Sequence, residues 1–452
     1  MGVCLRAAPT PHPLIQAPCL NSPPPPHCLE PLLSSRPVVL VVAAADMEAQ
    51  AYRGTCLTSV AAHYDVVLIS GAEPTWEKEF LLDHEVADPA DLAALTEAGR
   101  SLAERHELAG VMTWTEWYLV PVARLARQLG LPTTAPEALQ GCRNKHTSRS
   151  LFARHGVPSA ASASVRTEHE AHAATRRIGF PVVLKPAAHA ASMGVIRVDT
   201  ADQLHAAYAF AAKTAGHGVE STQVLVEEYL DGPEVSVECV THQGQTTVVA
   251  VTRKTVGMPP HFEELAHAVD ANDPLLATVA PAAVAAVDAL GVTDGVSHVE
   301  IRIVDGRPRL IEVNARIGGD MISHLVHLAT GVDLARAAAD IACGRTPDLI
   351  PTRRQAAAIR FIYPAYSGTL TVRRITEPTG GVERVRFQRQ AGDLLVLPQD
   401  GGHLFTARIG YLITTGLTAT VAQARAQEAY RNLDIQVAPV AQTAPAIREH
   451  AA

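Results

Sequence analysis

Val38 to Val42, in RPVVLVVAAAD, form an unbroken apolar run, the pattern of a strand buried on both faces of a parallel sheet. A helical segment, a second apolar run at DVVLIS (Asp65–Ser70), further helices, LAGVMTW (Leu108–Trp114) and the helical VARLARQLG follow. Strands alternating with helices predict a parallel α/β domain over residues 37–135. The pattern changes in 136–345. Helices are expected at NKHTSRSLFARHG (Asn144–Gly156), at EHEAHAATRRIG and in an Ala-rich stretch near 275–290. PVVLKPAAHAASMGVIRV, QVLVEEYL and EVSVECVTHQGQTTVVAVTRKT read as strands and hairpins. Antiparallel sheet flanked by helices makes this an α+β section. Residues 346–452 return to short strands (AAAIRFIYP, GTLTVRRI, DLLVLP, IGYLITTG) with one helix, TVAQARAQEAYRNL, and predict a small β-rich C-terminal domain.

Composition narrows the function classes. At 452 residues, 47% hydrophobic and 19% charged, the chain is long enough for two or three domains with real cores. Its net charge is −8 and it has no basic stripe, which argues against nucleic acid. No apolar run approaches the ~18 residues of a spanning helix, so no membrane partner is expected. Cys4, Cys19, Cys28, Cys56, Cys142, Cys239 and Cys343 are scattered without a C-x-x-C, the usage of reduced cytoplasmic thiols rather than a disulfide or zinc framework. Residues 1–36 are too rich in proline to pack and are expected to be a disordered leader. They lack the charged start and apolar run of a signal peptide, and Arg6 stands where a myristoylation site has Ser or Thr. AAAD follows the first strand where a dinucleotide site would have G-x-G-x-x-G.

The candidate chemistry lies in SHVEIRIVDGRPRLIEVNARIGGD. Val299, Ile301 and Ile303 alternate with His298, Glu300 and Arg302, and Ile311 and Val313 alternate with Glu312, Asn314 and Arg316, so each strand has a polar face. Asp305-Gly306 signals a hairpin. A two-residue turn pairs Val304 with Arg307 and sets Glu300 against Ile311, on the opposite side from Glu312. A three-residue loop, Val304-Asp305-Gly306, sets Glu300 against Leu310 and diagonal to Glu312, about 7–8 Å away at the backbone. The second register is the expectation, because it lets two carboxylates and Asn314 converge on a hard cation, Mg²⁺ or Mn²⁺, through oxygen ligands alone. A solvated polar face is the plainer alternative.

Magnesium sites with few protein ligands usually hold phosphates. The Walker A route is closed, because no G-x-x-x-x-G-K occurs. Lys185 ends a strand and leads into a small-residue loop, Ala187 to Gly194, whose backbone N–H groups could approach an anion. Alone this is an ordinary hairpin loop, and Lys145 alone an ordinary surface lysine. In VLVEEYLDGPEVSVE, Glu227, Glu228 and Leu230 close an apolar strand whose edge could read adenine through backbone hydrogen bonds, and Glu234 follows where a ribose would lie. A charged edge strand explains the same residues.

In this order, NKHTSRSLFARHGVPSA, FPVVLKPAAHAASMGV, VLVEEYLDGPEVSVE, HVEIRIVDG and LIEVNARIGGD resemble the ATP-grasp superfamily over roughly residues 37–440. The resemblance implies that ATP lies between two α+β subdomains. It implies that Lys145 and Lys185 touch the phosphates, and that the loop at Ser192, Met193 and Gly194 closes over them. Glu227, Glu228 and Leu230 would meet adenine, Glu234 the ribose, and Glu300, Glu312 and Asn314 the Mg²⁺. N-A-R-x-G-G-D is similar to the metal strand of L-amino-acid ligases of the bacilysin-synthetase type, which join two amino acids. VTRKT…PPHFEELAH resembles their substrate segment, so Glu264 and His267 would meet the first substrate's amino end. Gly318, Gly319 and Asp320 would line the acceptor site. Those enzymes have tryptophan where Asp320 stands, so a roomier, more polar acceptor site is expected. FTARIGYLITTGLT and the helix after it are similar to their C-terminal domain.

The implied chemistry activates a carboxylate as its acyl phosphate, which the second substrate's amine then attacks. Arg316, a cation that does not titrate away, is the expected donor to the tetrahedral oxyanion. The expected partners are small amino-acid substrates, and a homodimer is allowed. The rivals are another ATP-grasp enzyme (a carboxylase or a phosphoribosylamine–glycine ligase), a non-catalytic nucleotide-binding protein, and a periplasmic-type binding protein. HEAH (His169–His172) is not H-E-x-x-H and sits in an expected solvent helix. His324 and His327 share a helix face and read as packing residues, and a core histidine is the alternative for His267.

Overall fold

The computed structural model describes residues 36–43, 47–216 and 220–439. The predicted leader apart from Arg36, with Cys4, Cys19 and Cys28, lies outside these residues, as do Ala44 to Asp46 of the AAAD segment. Among the described residues, Cys56, Cys142, Cys239 and Cys343 are free thiols, and no helix is long and apolar enough to cross a membrane.

The apolar runs of the first segment become β1 (Val38–Val42), β2 (Asp65–Ser70), β3 (Leu81–Val86) and β4 (Leu108–Met112). They pair in parallel in the order β3-β2-β1-β4. The sequence pattern predicted helices alone between β2 and β4. LLDHEV is instead an edge strand, whose half-buried face carries none of the apolar continuity that marks its neighbours.

A second sheet holds β5 (Ser162–Val165), β6 (Val182–Pro186), β7 (Ile196–Val198) and β8 (Val224–Glu228), ordered β5-β8-β6-β7. The largest sheet starts with β9 (Glu234–His242), β10 (Gln245–Gly257), β11 (Glu263–Asp270), β12 (Gly295–Val304) and β13 (Arg307–Asn314). The last segment supplies β14 (Ala356–Ile362), β15 (Gly368–Ile375), β16 (Val382–Phe387), β17 (Leu394–Leu395), β18 (Gly410–Gly416) and β19 (Leu433–Pro439). Three of these join the large sheet, giving the order β13-β12-β9-β10-β11-β14-β18-β16, and the other three form a small sheet, β17-β15-β19.

Period-two alternation separates the two faces of the large sheet. Val235, Val237, Cys239, Val299, Ile301 and Val313 face the Ala-rich helix Leu276–Leu290 and pack on Val279, Ala283 and Val287. Complete burial of each such side chain contributes about 1.5–3 kcal/mol. The polar residues between them are thereby committed to the opposite face, where the cavity lies.

The β12–β13 turn corrects the expected register. It is a two-residue turn, with Val304 opposite Arg307 and with Asp305 and Gly306 both at positive φ (50° and 74°), the geometry that Asp-Gly favours. That register alone would separate the acids, but Ile311 bulges. Ile301 pairs with Leu310, and the next pair is Glu300 with Glu312. The extra residue inverts the alternation from that point on. Leu310 and Val313 both reach the core although three positions apart, and Glu312 turns to the polar face. The Ile311 carbonyl accepts a hydrogen bond from the Arg149 guanidinium, and Leu310 N–H donates to Pro158 O at 2.9 Å. Both contacts anchor the bulge.

Candidate active site

Polar side chains run across the sheet in rows that follow the strand register. Glu238, His298 and Asn314 form one row, and Ser236, Glu300 and Glu312 form the next. His298 Nδ1 lies 3.0 Å from Glu238 Oε1, and its Nε2 lies 3.3 Å from Glu300 Oε1. Burial opposes charge on this imidazole, but the fully buried Glu238 carboxylate outweighs it and lifts the pKa to about 9. Asn314 Nδ2 donates to Glu312 Oε1 at 2.8 Å.

Lys254 of β10 holds three acids together. Its Nζ is 2.6 Å from Glu300, 2.7 Å from Glu264 and 3.2 Å from Glu234. Burial penalises the ammonium, yet these carboxylates hold its pKa well above the usual lysine value. In return, burial penalises the Glu300 carboxylate, but Lys254 and His298 hold its pKa well below the ordinary range. Glu264 differs: burial and its fellow acids raise its pKa despite Lys254 and His267. Glu264 and His267, three apart on β11, would ordinarily face opposite ways. Lys254 pairs with His267, Thr255 with Ala266 and Val256 with Glu264, so Leu265 is a second bulge, and it returns Glu264 to the His267 face. Glu264 Oε2 lies 3.8 Å from His267 Nδ1, and neither atom has a hydrogen bond.

The opposite wall comes from the second sheet and the helix Lys145–Arg154. The Asn144 side chain caps that helix by accepting from His146 and Thr147 N–H, which fixes Lys145 in the first turn. Lys145 Nζ donates to His189 O at 2.8 Å and pairs with Glu312 at 2.9 Å. Lys185 and Arg149 share the buried Glu227 at 2.6 and 2.9 Å, and burial depresses Lys185. Glu228 points the other way along its strand, to Arg309 at 2.9 Å. Glu227 and Glu228 can therefore meet one ligand together only through the backbone. Leu230 and Glu234 line the same cavity, Glu234 being held by Arg302 at 3.0 Å. The loop between β6 and β7 turns through Ala191 and Ser192, both at positive φ, with Met193 beside them. Gly194 closes it at φ 74°, where a Cβ would come within 2.7 Å of the Thr214 side chain.

Arg316 follows β13, and its Nε meets the buried Glu116 at 2.7 Å. Glu116 lies between β4 and the helix Leu119–Gln128 and also binds Arg143 at 3.0 Å. Gly318 lies so close to His298 that a Cβ would approach Nδ1 to 3.0 Å, whereas Gly319 has open space. Asp320 and Met321 both adopt positive φ (51° and 62°), a strain that persists only where surrounding contacts over-determine it. The Asp320 position is polar as expected, but the space is not left free. Arg408, from the loop before β18, binds Asp320 at 2.7 Å and stacks 3.6 Å over the Phe361 ring. Arg408 also donates to Tyr363 Oη at 3.2 Å.

Most of these residues line one cavity of about 370 Å³. It brings together all the residues expected at a site except Gly194 and Gly318, which sit in its supporting turns. His169, His172, His324 and His327 lie outside it. The residues that sequence reasoning missed are Lys254, Glu116, Glu238, Arg149 and Arg408. Polar Ser236 and Glu238 alternating with Val235, Val237 and Cys239 were a readable signal. The others carry none, because their partners are remote in the chain. The donor set Glu300, Glu312 and Asn314, all oxygen and all on one face, fits a hard divalent cation.

A model of the ATP-grasp N-terminal domain matches residues 58–133, and a model of the ATP-grasp domain matches residues 178–324. The uncharacterized protein y4rH of Sinorhizobium fredii (strain NGR234) is 29% identical over 361 residues, 78% of this chain and 73% of that protein. Alanine–anticapsin ligase of Bacillus amyloliquefaciens is 27% identical over 274 residues. That match takes in 55% of this chain and spans 57% of the ligase's length. The crystal structure of an L-amino acid ligase from Bacillus licheniformis has the same fold, with a TM-score of 0.75 at 23% identity over 89% of this chain and 100% of that one.

Proposed function

We propose, from the match of residues 58–133 and 178–324 to the two ATP-grasp domain models, that this chain is an ATP-grasp enzyme, an ATP-dependent carboxylate–amine ligase that joins two amino acids and releases ADP and phosphate. The observation that carries the reading is the pairing of Glu300 with Glu312 on the cavity face, beside Asn314 and opposite Lys145 and Lys185. Glu300, Glu312 and Asn314 would hold Mg²⁺, which would offset charge on the phosphoryl group in flight. Lys145, Lys185 and the loop Ser192-Met193-Gly194 take the phosphates. The chain at Glu227, Glu228 and Leu230 takes adenine, and Glu234 the ribose.

The first substrate's carboxylate oxygen attacks the γ-phosphorus of ATP, forming an acyl phosphate and ADP. The second substrate's neutral amine adds to the acyl carbon, and collapse of the tetrahedral adduct expels phosphate and leaves an amide. Arg316 donates to the oxyanion of that adduct. Glu116 holds the Arg316 guanidinium in place and is a positioning residue. Glu264 and His267 receive the first substrate's ammonium. Their Oε2 and Nδ1, which have no hydrogen bond, support this role, since buried polar atoms without hydrogen bonds are costly. The four free thiols support a cytoplasmic setting.

A screen of amino-acid pairs with ATP and Mg²⁺, read by phosphate release and product mass, tests the reading. Phosphate release that requires two amino acids and yields their sum less water is expected. ATP hydrolysis stimulated by bicarbonate and indifferent to amino acids would favour the carboxylase rival instead.

A further inference from the structure

We infer that Arg53 is the counter-ion for the carboxylate of the amine-donating amino acid, an inference that rests on the ligase reading. The reaction consumes one carboxylate, which must lie at the phosphate end of the cavity. The second amino acid spends only its amine, and its own carboxylate stays ionised in a partly closed, low-dielectric space. Such an anion needs a cation whose charge is not already matched.

Six other Lys and Arg side chains line the cavity, and each has an acid close by. Lys145 is 2.9 Å from Glu312, Lys185 and Arg149 are 2.6 and 2.9 Å from Glu227, and Arg302 is 3.0 Å from Glu234. Lys254 is 2.6 Å from Glu300, and Arg316 is 2.7 Å from Glu116. Arg53, on the helix Met47–Ala61, lines the same cavity and has no carboxylate within ion-pair distance among the described residues. It donates to two backbone carbonyls, Nη1 to Gly318 O at 3.1 Å and Nη2 to Trp114 O at 3.4 Å, and the Cys56 thiol is its side-chain neighbour.

Those two carbonyls aim the guanidinium. Gly318 lies two residues past Arg316, and the Arg316 charge acts on Arg53, so this cation lies near the expected oxyanion donor. An α-amino group and its carboxylate are joined through a single carbon. An amine placed to attack at Arg316 therefore brings its carboxylate to the neighbouring position. Burial, and after it the Arg316 charge, depress the Arg53 pKa against the opposing effects of Cys56 and the more distant Asp320 carboxylate, so its charge is offset only in part. A guanidinium fork can grip both carboxylate oxygens, so Arg53 selects acceptors that carry a free carboxylate.

The test uses the best amino-acid pair from the screen, with the acceptor offered as the free acid and as its carboxamide. For the wild type, the carboxamide should have a KM about 10- to 100-fold higher than the acid. Arg53→Gln should raise the KM for the acid by a similar factor and leave the KM values for ATP and carboxamide within about twofold. Arg53→Lys should recover part of the loss. Equal wild-type KM values for acid and carboxamide would overturn the assignment, and that comparison needs no variant to fold. So would an Arg53→Gln enzyme that loses both acceptors equally or shifts its KM for ATP. A wild-type enzyme that releases no phosphate with any pair would defeat the ligase reading and this assignment together. Turnover that does not respond to Arg53 defeats only the latter.

Discussion

Glu300 stands directly across from Glu312, and one extra residue, Ile311, is what puts it there. The Asp305-Gly306 turn sets a register that would otherwise send the two carboxylates to opposite surfaces. The bulge reverses the parity of β13 between Leu310 and Glu312, so that core and site are both served by a strand whose simple alternation could serve only one. Both acids then face the cavity, each with a lysine against it. Glu300→Gln and Glu312→Gln should each lower turnover at least about 100-fold and raise the Mg²⁺ concentration needed for half-maximal phosphate release. Normal Mg²⁺ dependence in either variant would remove that residue from the metal set.

Arg316→Ala should leave ATP binding nearly intact while lowering product formation about 10²–10³-fold, the usual cost of an oxyanion donor. Glu116→Gln keeps the guanidinium but loosens its anchor, and a smaller loss is expected, in kcat rather than in the KM for ATP. Calorimetric titration with ATP alongside product assays separates the two effects.

Lys254 holds together three carboxylates that lie within 4.8 Å of one another. Removal of one partner from a buried ionic cluster costs about 3–5 kcal/mol. Lys254→Met should therefore unfold at markedly lower urea at pH 7, and should regain stability when Glu264 is also changed to Gln. Double-variant stability equal to that of Lys254→Met alone would show that the two side chains are not coupled.

Asp320 supplies a pH dependence whose sign follows from its surroundings. Burial alone would raise its pKa, but Arg408 and His267 hold it far below the ordinary carboxylate range. The unfolded chain binds that proton near pH 3.9, so the stability contributed by the ion pair is complete above that pH and is lost as the pH falls below it. Asp320→Asn keeps a residue that tolerates the left-handed backbone. The stability gap between wild type and this variant should be constant from pH 6 to 8 and narrow below about pH 4. A gap that widens on acidification would contradict the pairing with Arg408.

The sequence by itself determined most of the elements and the residue types that the cavity gathers. The Val38–Val42 run, the Ala-rich helix Leu276–Leu290 and the alternation through β9, β12 and β13 follow from local periodicity, because burial on one face or two imprints period two or 3.6 directly on the chain. The acids, amide and lysines on which the proposed phosphate and metal roles rest were equally legible. Only the tertiary structure decided the parity of β11 and β13. A bulge is one unpaired residue, held by distant groups such as Arg149 and Pro158, and a single strand carries no mark of it. Distance along the chain likewise hid the pairings that set the site's charge. Glu116 with Arg316, Lys254 with its three acids, Arg408 with Asp320 and the partly offset Arg53 each depend on elements far apart in sequence. Coulombic interaction falls with separation in space, and only folding makes those separations short.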